Sequence, residues 1–359
     1  MYDQLISWEN LLQAYKKAAR GKRGQANVAC FEFSLENHLI DLQAELSTFC
    51  YRPGTYTSFL IHEPKRRLIS AAPFRDRVVH HALCNQIEPL FERSFIFDSY
   101  ANRVGKGTHR ALDRAQGFSS QFAYVLQCDV RQFFPSIDHA ILQEVLERKI
   151  LDPRVMWLCL QILESGQGVL CEEYDMVWFP KDDLFTQLRP RGLPIGNLTS
   201  QFWANCYLNP LDHFIKRELG CRAYLRYVDD FLLFANDKAV LHGWLKAIEA
   251  RLANLRLTIH TGAHPRPVTE GFPFLGFHIT PERRRLKRRK GVHFQRKFNR
   301  LLRAYCNGKV SFQQLTDCVR GWVNYVSYGN TVGLRKSILG GTVAAPFDEC
   351  LKRSGKPSA

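Results

Sequence analysis

The segment RAYLRYVDDFLLFAN, residues 222–236, constrains the fold most strongly, because it sets two adjacent aspartates between two apolar runs. Aspartate is depleted in strands, and neighbouring carboxylates repel each other. The pattern predicts a β-hairpin with Asp229 and Asp230 close to its turn. Turns also favour Asp for local hydrogen bonding, so the pair alone leaves a simple turn and a metal site as open alternatives.

A third carboxylate, Asp129, ends the apolar run AYVLQCD at 123–129. If that strand pairs beside the 222–236 hairpin, three carboxylates meet at one strand end. Buried carboxylates need a compensating cation, and Mg²⁺ prefers hard oxygen ligands. Two ions roughly 3.5–4 Å apart would clamp the attacking and leaving oxygens of a phosphoryl transfer. The alternative for Asp129 is a strand-end cap.

The charge of the chain favours a polyanionic partner. Its 359 residues include 50 Lys and Arg against 34 Asp and Glu, a net charge of +16. Such an excess is typical of nucleic-acid binding, although a basic protein without that partner is the alternative. No apolar run is long enough to span a membrane, and the N-terminal segment lacks the apolar core of a signal peptide.

The eleven cysteines are scattered and form no C-x-x-C pair. Several lie in apolar runs, as Cys128 does. This usage predicts buried, reduced thiols in a cytoplasmic protein, and argues against disulfides or a zinc site.

Long helical patterns alternate with strand-like hairpins. This order predicts an α+β fold, because a doubly wound fold would show a βαβ run. The basic run RRRLKRRK at 283–290 precedes a mostly helical C-terminal region. Periodicity predicts helices at 4–20, 35–49, 76–95, 140–152, 197–219 and 238–255, and strands within 51–70, 123–134, 222–236 and 272–280.

The chain resembles the reverse transcriptase family in a series of ordered motifs. YVDD at 227–230 is similar to the Y-x-D-D box of that family. The further matching stretches are PKRRLISAAPFRDRVVHHAL (64–83), FIFDSYANRVGKGTHRAL (95–112), CDVRQFFPSIDH (128–139), GLPIGNLTSQFWANCYLNPLD (192–212), FPFLGF (272–277) and GWVNYVSYGNT (321–331).

The resemblance implies a right-hand polymerase fold, with fingers, a palm built on an antiparallel sheet, and a helical thumb. We expect an N-terminal helical extension at 1–50, fingers at 51–122, a palm at 123–280 with a fingers insertion around 150–195, a thumb at 281–345, and a disordered tail at 346–359.

The same resemblance makes Asp129, Asp229 and Asp230 the catalytic carboxylates. Asp129 and Asp229 would be the principal metal ligands, and Val130 would offer its backbone carbonyl. Two Mg²⁺ ions are implied, with Mn²⁺ as an alternative. One ion would lower the pKa of a primer 3′-hydroxyl, and the other would hold the triphosphate. The implied reaction copies an RNA template into DNA from dNTPs on a DNA or RNA primer.

Four residues are expected at the incoming nucleotide by resemblance: Lys65, Arg67, Phe134 and Gln201. Lys65 and Arg67 would hold the triphosphate, or else form a solvated or template-facing basic surface. Phe134 would block a 2′-hydroxyl, with Phe133 pointing into the core because strand side chains alternate. The alternative for Phe134 is plain core packing. Gln201 would contact the templating base or the nucleotide, or else pack below the site.

Template and primer contacts are expected from Arg103, Lys106, Tyr227, Gly276, Arg288 and Arg289. Arg103 and Lys106 would contact template phosphate, and Tyr227 would support the primer. Gly276 would let the backbone approach the primer closely. Arg288 and Arg289 belong to a basic thumb surface that would track duplex phosphates. Relatives often carry a Lys before the primer grip. Here 257–271 has none, and His260, His264, Arg266 or water would replace it.

The string IGNLTSQ is similar to reverse transcriptases of diversity-generating retroelements, which mutate adenines while copying a template RNA. Intron-encoded enzymes usually carry Ser-Ala where this chain has Ser200 and Gln201. The open alternatives are a defence-associated or unassigned prokaryotic reverse transcriptase acting with its own noncoding RNA, and an RNA-binding maturase or chaperone. A dedicated structured noncoding RNA and a basic accessory protein are the expected partners.

Overall fold

The computed structural model describes residues 1–62, 66–180 and 182–340. Lys65, one of the expected triphosphate contacts, lies outside the described residues. Contacts divide the chain into two compact units. The first comprises 1–107, 127–233 and 239–264, and the second comprises 108–126, 234–238 and the chain from Pro265 onward.

The first unit is mainly helical. The helix bounds are α1 Tyr2–Leu5, α2 Trp8–Ala19, α3 Ala26–Phe33, α4 Leu35–Ser47, α5 Phe74–Glu92, α7 Phe133–Ser136, α8 His139–Glu147, α9 Pro153–Ser165, α10 Leu198–His213 and α11 Lys238–Asn254. Polar side chains start several of them, since Ser7, Asp138 and Asp152 accept hydrogen bonds from first-turn amides. These caps satisfy backbone donors that a helix leaves unpaired at its N-terminus.

Among the residues that the structure describes, nine short strands form three sheets. The strands are β1 Thr57–Ile61, β2 Arg67–Ala71, β3 Tyr124–Asp129, β4 Tyr224–Tyr227, β5 Asp230–Ala235, β6 Pro265–Pro267, β7 Phe272–Phe274, β8 Phe277–Ile279 and β9 Arg284–Leu286. Their orders are β1-β2, β4-β5-β3-β6 and β7-β8-β9. The second of these sheets carries the aspartates at the β4–β5 turn and at the end of β3. The predicted α+β class is confirmed.

The second unit contains α6 Thr108–Ser119, α12 Arg288–Cys306, α13 Phe312–Val326 and a helix at 332–340. The last three helices share a small apolar core. At its centre the rings of Phe294 and Trp322 stack with centroids 4.0 Å apart and an interplanar angle of 1°. Aromatic stacking of this kind adds to the stability gained from burial.

Two strand predictions were too long. The predicted strand 123–134 ends at Asp129, because Gln132 is left-handed at φ 46° and starts the short helix α7. The predicted strand 272–280 is two strands, β7 and β8, joined by a tight turn at Leu275 and Gly276. Both turn residues have positive φ, a conformation that no continuous strand allows.

The expectation of buried, reduced cysteines holds only in part. Among the described residues, nine cysteines carry free thiols, of which Cys30, Cys50 and Cys171 are exposed. Cys306 is disulfide-bonded, so the expectation of no disulfides is wrong for that residue. Within the described parts of the chain, no helix has the length and apolar character needed to cross a membrane.

Candidate active site

The aspartate pair lies at a two-residue hairpin turn. Tyr227 pairs with Asp230 across β4 and β5, which leaves Val228 and Asp229 as the turn. Val228 has φ 59°, a left-handed conformation that is costly for a β-branched residue. The predicted hairpin is confirmed, and Asp229 stands at its tip while Asp230 opens β5.

Asp129 lies beside Asp229. The Val130 amide donates to the Asp229 carbonyl at 3.2 Å, which holds the end of β3 against the turn. Burial, and then the negative charge of Asp129, raises the pKa of Asp229 to about 6. The positive charges of Arg67 and Arg226 lower it only in part. The negative charge of these two carboxylates is thus only partly compensated by nearby arginines. This suits a divalent cation such as Mg²⁺, which prefers carboxylate oxygens as ligands.

Asp230 is held differently from its neighbour. Gln127 on β3 donates through Nε2 to the two carboxylate oxygens of Asp230, at 3.1 and 3.4 Å. Across 1–62, 66–180 and 182–340, no three His, Cys, Asp or Glu side chains are placed to hold one ion. The fit to a metal therefore rests on Asp129 and Asp229. The ligand roles of Asp230 and of the Val130 carbonyl stay predictions.

Arg67 and Phe134, both expected at the incoming nucleotide, differ in exposure. Arg67 is exposed at the start of β2, and its charge acts on Asp229. Phe134 is half-buried, whereas Phe133 is buried, with ring centroids 5.5 Å apart. Their different burial was predicted, but strand alternation is the wrong reason because both residues belong to the helical turn α7.

Gln201 is exposed in the first turn of α10, so it does not pack in a core below the site. The start of α10 is fixed by Asn197, which occupies the N-cap position without capping the helix. Its side chain accepts from the Ala72 amide at 3.1 Å and donates to the Ser70 carbonyl at 2.8 Å. These bonds join the start of α10, where Gln201 lies, to the end of β2.

Arg103 has a structural role rather than the predicted contact with template. Its side chain is nearly buried and forms an ion pair with Glu92 at 2.7 Å. The same guanidinium donates to the carbonyls of Ile96 and Ser99 at 2.6 and 2.9 Å. These partners occupy most of its donors, which leaves little capacity for a phosphate.

Lys106 and Tyr227 remain predictions. Lys106 is half-buried and donates to the Phe97 carbonyl at 2.7 Å, with its ammonium 3.4 Å from the centroid of the Phe97 ring. Tyr227 is half-buried at the end of β4.

In the second unit, Gly276 has an internal reason to be glycine. It has φ 91°, and a Cβ there would lie 2.1 Å from the hydroxyl oxygen of Tyr325. That hydroxyl donates to the Leu275 carbonyl at 2.9 Å. The residue that approaches Gly276 closely is therefore Tyr325. The contact of Gly276 with the primer stays a prediction. Arg288 and Arg289 are exposed in the first turn of α12.

Of the residues considered as substitutes for the absent Lys, His260 is hydrogen-bonded through its backbone to Asp129, one of the two carboxylate residues. Its amide donates to the Asp129 carbonyl at 2.9 Å, and the residue is exposed. His264 is also exposed, and its ring bonds the carbonyl of Gly262.

Sequence reasoning missed Arg226. It lies on β4, three residues before Asp229, and its side chain is fully buried. The available signal was a lone arginine inside the apolar string YLRYV, since arginine is almost never fully buried unless it is paired.

The chain is similar in sequence to several known proteins. Protein YkfC of Escherichia coli (strain K12) is 25% identical over 262 residues, covering 62% of this chain and 65% of that protein. The group II intron-encoded protein LtrA of Lactococcus lactis subsp. cremoris is 24% identical over 151 residues, covering 42% and 23%. An uncharacterized 91 kDa protein in the cob intron of Schizosaccharomyces pombe is 31% identical over 155 residues, covering 42% and 17%. The chain thus spans less than two thirds of the length of each relative.

Among solved structures, telomerase from Candida albicans with a fragment of telomeric RNA matches with a TM-score of 0.48 at 13% identity. That match covers 84% of this chain and 55% of the telomerase chain. The family model for reverse transcriptase (RNA-dependent DNA polymerase) matches residues 61–279, more than half of the chain and the whole of the aspartate site. Members of that family generally use divalent metal ions. The chain belongs to the reverse transcriptase family.

Proposed function

We propose that the chain is an RNA-directed DNA polymerase that copies an RNA template into DNA from dNTPs. The observation that carries the proposal is the Asp129 and Asp229 pair, brought together at a strained hairpin turn with Arg67 within electrostatic reach. Mg²⁺ bound by this pair would neutralise the charge that develops during nucleotidyl transfer.

The protein's own residues would position the substrates. Arg67 would bind the triphosphate, whose charge it complements. Phe134 would lie below the sugar and exclude a 2′-hydroxyl. Gln201 would face the templating base or the nucleotide, and its amide can both donate and accept a hydrogen bond. In this proposal 51–122 and the insertion form the fingers, and 281–345 forms the thumb.

Primer extension on an RNA template with Mg²⁺ and dNTPs tests the proposal. Wild type should extend the primer, and Asp229→Asn should abolish extension because it removes a charged ligand. Asp41→Asn is the matched control, since Asp41 is an exposed aspartate on α4. If wild type extends no primer even when RNA transcribed from its own gene region is supplied, the polymerase function is refuted. Full extension by Asp229→Asn would refute the metal assignment.

Within that activity, we propose a mutagenic retroelement role over a defence role. The support is the exposed position of Gln201 on α10, where its side chain is available to a base. Wild type should misincorporate opposite template adenine more often than opposite other bases, and Gln201→Ala should change that ratio. Uniform fidelity at adenine would favour the defence-associated alternative. A dedicated noncoding RNA and a basic accessory protein belong to this proposal.

An RNA-binding maturase is the second candidate function. The names of two relatives support it: the group II intron-encoded protein of Lactococcus lactis, and nuclear intron maturase 1 of Arabidopsis thaliana, which is 27% identical over 95 residues. The two functions separate cleanly in one variant. Asp229→Asn would leave RNA folding activity intact if the chain is a maturase, and would abolish DNA synthesis if it is a polymerase.

A further inference from the structure

A fully buried ion pair lies behind the catalytic turn. Arg226 on β4 and Asp212 on α10 are both 0% exposed. The pair is bidentate, with Nε at 2.8 Å from Oδ1 and Nη2 at 2.6 Å from Oδ2. Burying two charges costs several kcal/mol per ion in typical cases, and an apolar pair of similar volume is often at least as stable. Stability alone therefore does not explain why this position carries an arginine.

The remaining contacts of the guanidinium point to the turn. Nη1 donates to the Val228 carbonyl at 2.9 Å and to Asn205 Oδ1 at 3.1 Å. The Val228 carbonyl and the Asp229 amide share one planar peptide unit. A bond to that carbonyl therefore fixes the orientation of the peptide that leads into Asp229. It also stabilises Val228 in a left-handed conformation that it would otherwise avoid.

The backbone of Arg226 is fixed as well. Its amide donates to the Asp98 carbonyl at 2.9 Å, and its carbonyl accepts from the Tyr100 amide at 2.9 Å. Asn205, which accepts from the guanidinium, also donates to the Ala101 carbonyl at 2.9 Å. Arg226 on β4 is thus bonded to segment 98–101 through its backbone, and to α10 and the turn through its side chain.

We propose that Arg226 is a positioning residue for Asp229, with Asp212 as its anchor: the guanidinium sets the 228–229 peptide and thereby the direction of the Asp229 carboxylate toward a divalent ion. The inference rests on the proposed polymerase function. It predicts that loss of the Val228 contact weakens metal binding and catalysis beyond any loss of stability.

The test uses three variants and three measurements. Asp212→Asn with Arg226→Met removes both buried charges together, so that no unpaired ion remains in the core, and it removes the donor to Val228. Arg226→Lys keeps a cation opposite Asp212 but cannot hold the carboxylate and the carbonyl in the same fork geometry. Tyr224→Phe is the control, because the Tyr224 hydroxyl donates to Asp212 Oδ1 at 2.7 Å and its loss leaves the Val228 contact in place.

The measurements are thermal unfolding without metal, Mn²⁺ binding by electron paramagnetic resonance without substrate, and primer extension with Mg²⁺. In the double variant we expect Mn²⁺ affinity to fall about 10-fold to 100-fold, as is typical when a residue that orients a metal ligand is lost. kcat should fall about 100-fold with a smaller change in the KM for dNTP, since a misplacement of about 1 Å is that costly. Tyr224→Phe should keep the Mn²⁺ affinity of wild type.

Each outcome supports or overturns the positioning role of Arg226. Wild-type Mn²⁺ affinity and kcat in the folded double variant would overturn the proposal, as would an equal loss of affinity in Tyr224→Phe. If the double variant does not fold, Arg226→Lys decides by the same measurements. If wild type binds Mn²⁺ in an Arg226-dependent way but extends no primer, the positioning role stands and the polymerase function fails.

Discussion

Asp229 should cost the folded protein stability at neutral pH in exchange for metal binding. Burial and the charge of Asp129 raise its pKa from 3.8 to about 6. Each pKa unit corresponds to about 1.4 kcal/mol, so ionised Asp229 destabilises the metal-free protein by about 3 kcal/mol above that pKa. Asp229→Asn should therefore raise the stability of the metal-free protein at pH 8 while it abolishes extension.

The sign of the pH dependence follows from the raised pKa. The favourable contribution of protonated Asp229 is fully present below the pKa of 3.8 and is lost as the pH rises through about 6. The gain from Asp229→Asn should therefore be near zero at the acid end and reach its full size at pH 8. At roughly 2 °C per kcal/mol for a chain of this size, the expected rise in Tm is about 6 °C.

Thermal unfolding by circular dichroism, with EDTA and at pH values across this window, measures the effect. Asp41→Asn on the exposed face of α4 should change Tm little at any of these pH values. Saturating Mg²⁺ should remove the advantage of the variant, because only wild type gains from binding the ion. A variant that is less stable than wild type at pH 8 in EDTA would refute the assignment of Asp229 as an under-compensated buried carboxylate.

Three further substitutions test other parts of the chain. Phe134→Ala should admit ribonucleotides, measured as the ratio of dNTP to rNTP incorporation, and an unchanged ratio would show that Phe134 is no gate. Gly276→Ala should destabilise the second unit by about 1–3 kcal/mol, because of its positive φ and the Tyr325 hydroxyl in the path of a Cβ, as measured by urea unfolding. Trp322→Ala should cost about 3–5 kcal/mol in the same assay through loss of the stacked Phe294 contact, and a neutral result would contradict the described core.

Much of the fold could be predicted from the sequence because the signals are local. Helices α10 and α11 and the β4–β5 hairpin follow from periodicity and turn chemistry within a dozen or so residues. The strand from Ala123 could not be ended correctly. Apolar residues recur after Asp129 at Val130, Phe133 and Phe134, and the left-handed backbone of Gln132, which starts a helical turn, cannot be read from this pattern.

The roles of arginines could not be assigned in the same way. Arg67 follows EPKR and Arg103 precedes VGKG, so both arginines adjoin stretches that look exposed, yet Arg103 is nearly buried against Glu92. A basic side chain contacts nucleic acid only if the fold leaves its donors unused. The partners that use them lie at other places in the sequence, and no local pattern records them.

By itself, the sequence determined that two aspartates stand at a hairpin in a basic α+β protein of the reverse transcriptase family. Those features are written in adjacent residues and ordered motifs. Only the tertiary structure decided that Asp129 reaches Asp229 from 100 residues away, that Asp230 is held by Gln127, and that Arg226 binds the turn from inside. The physical reason is that a buried charge is defined by the partners that compensate it, and those partners meet only when the chain has folded.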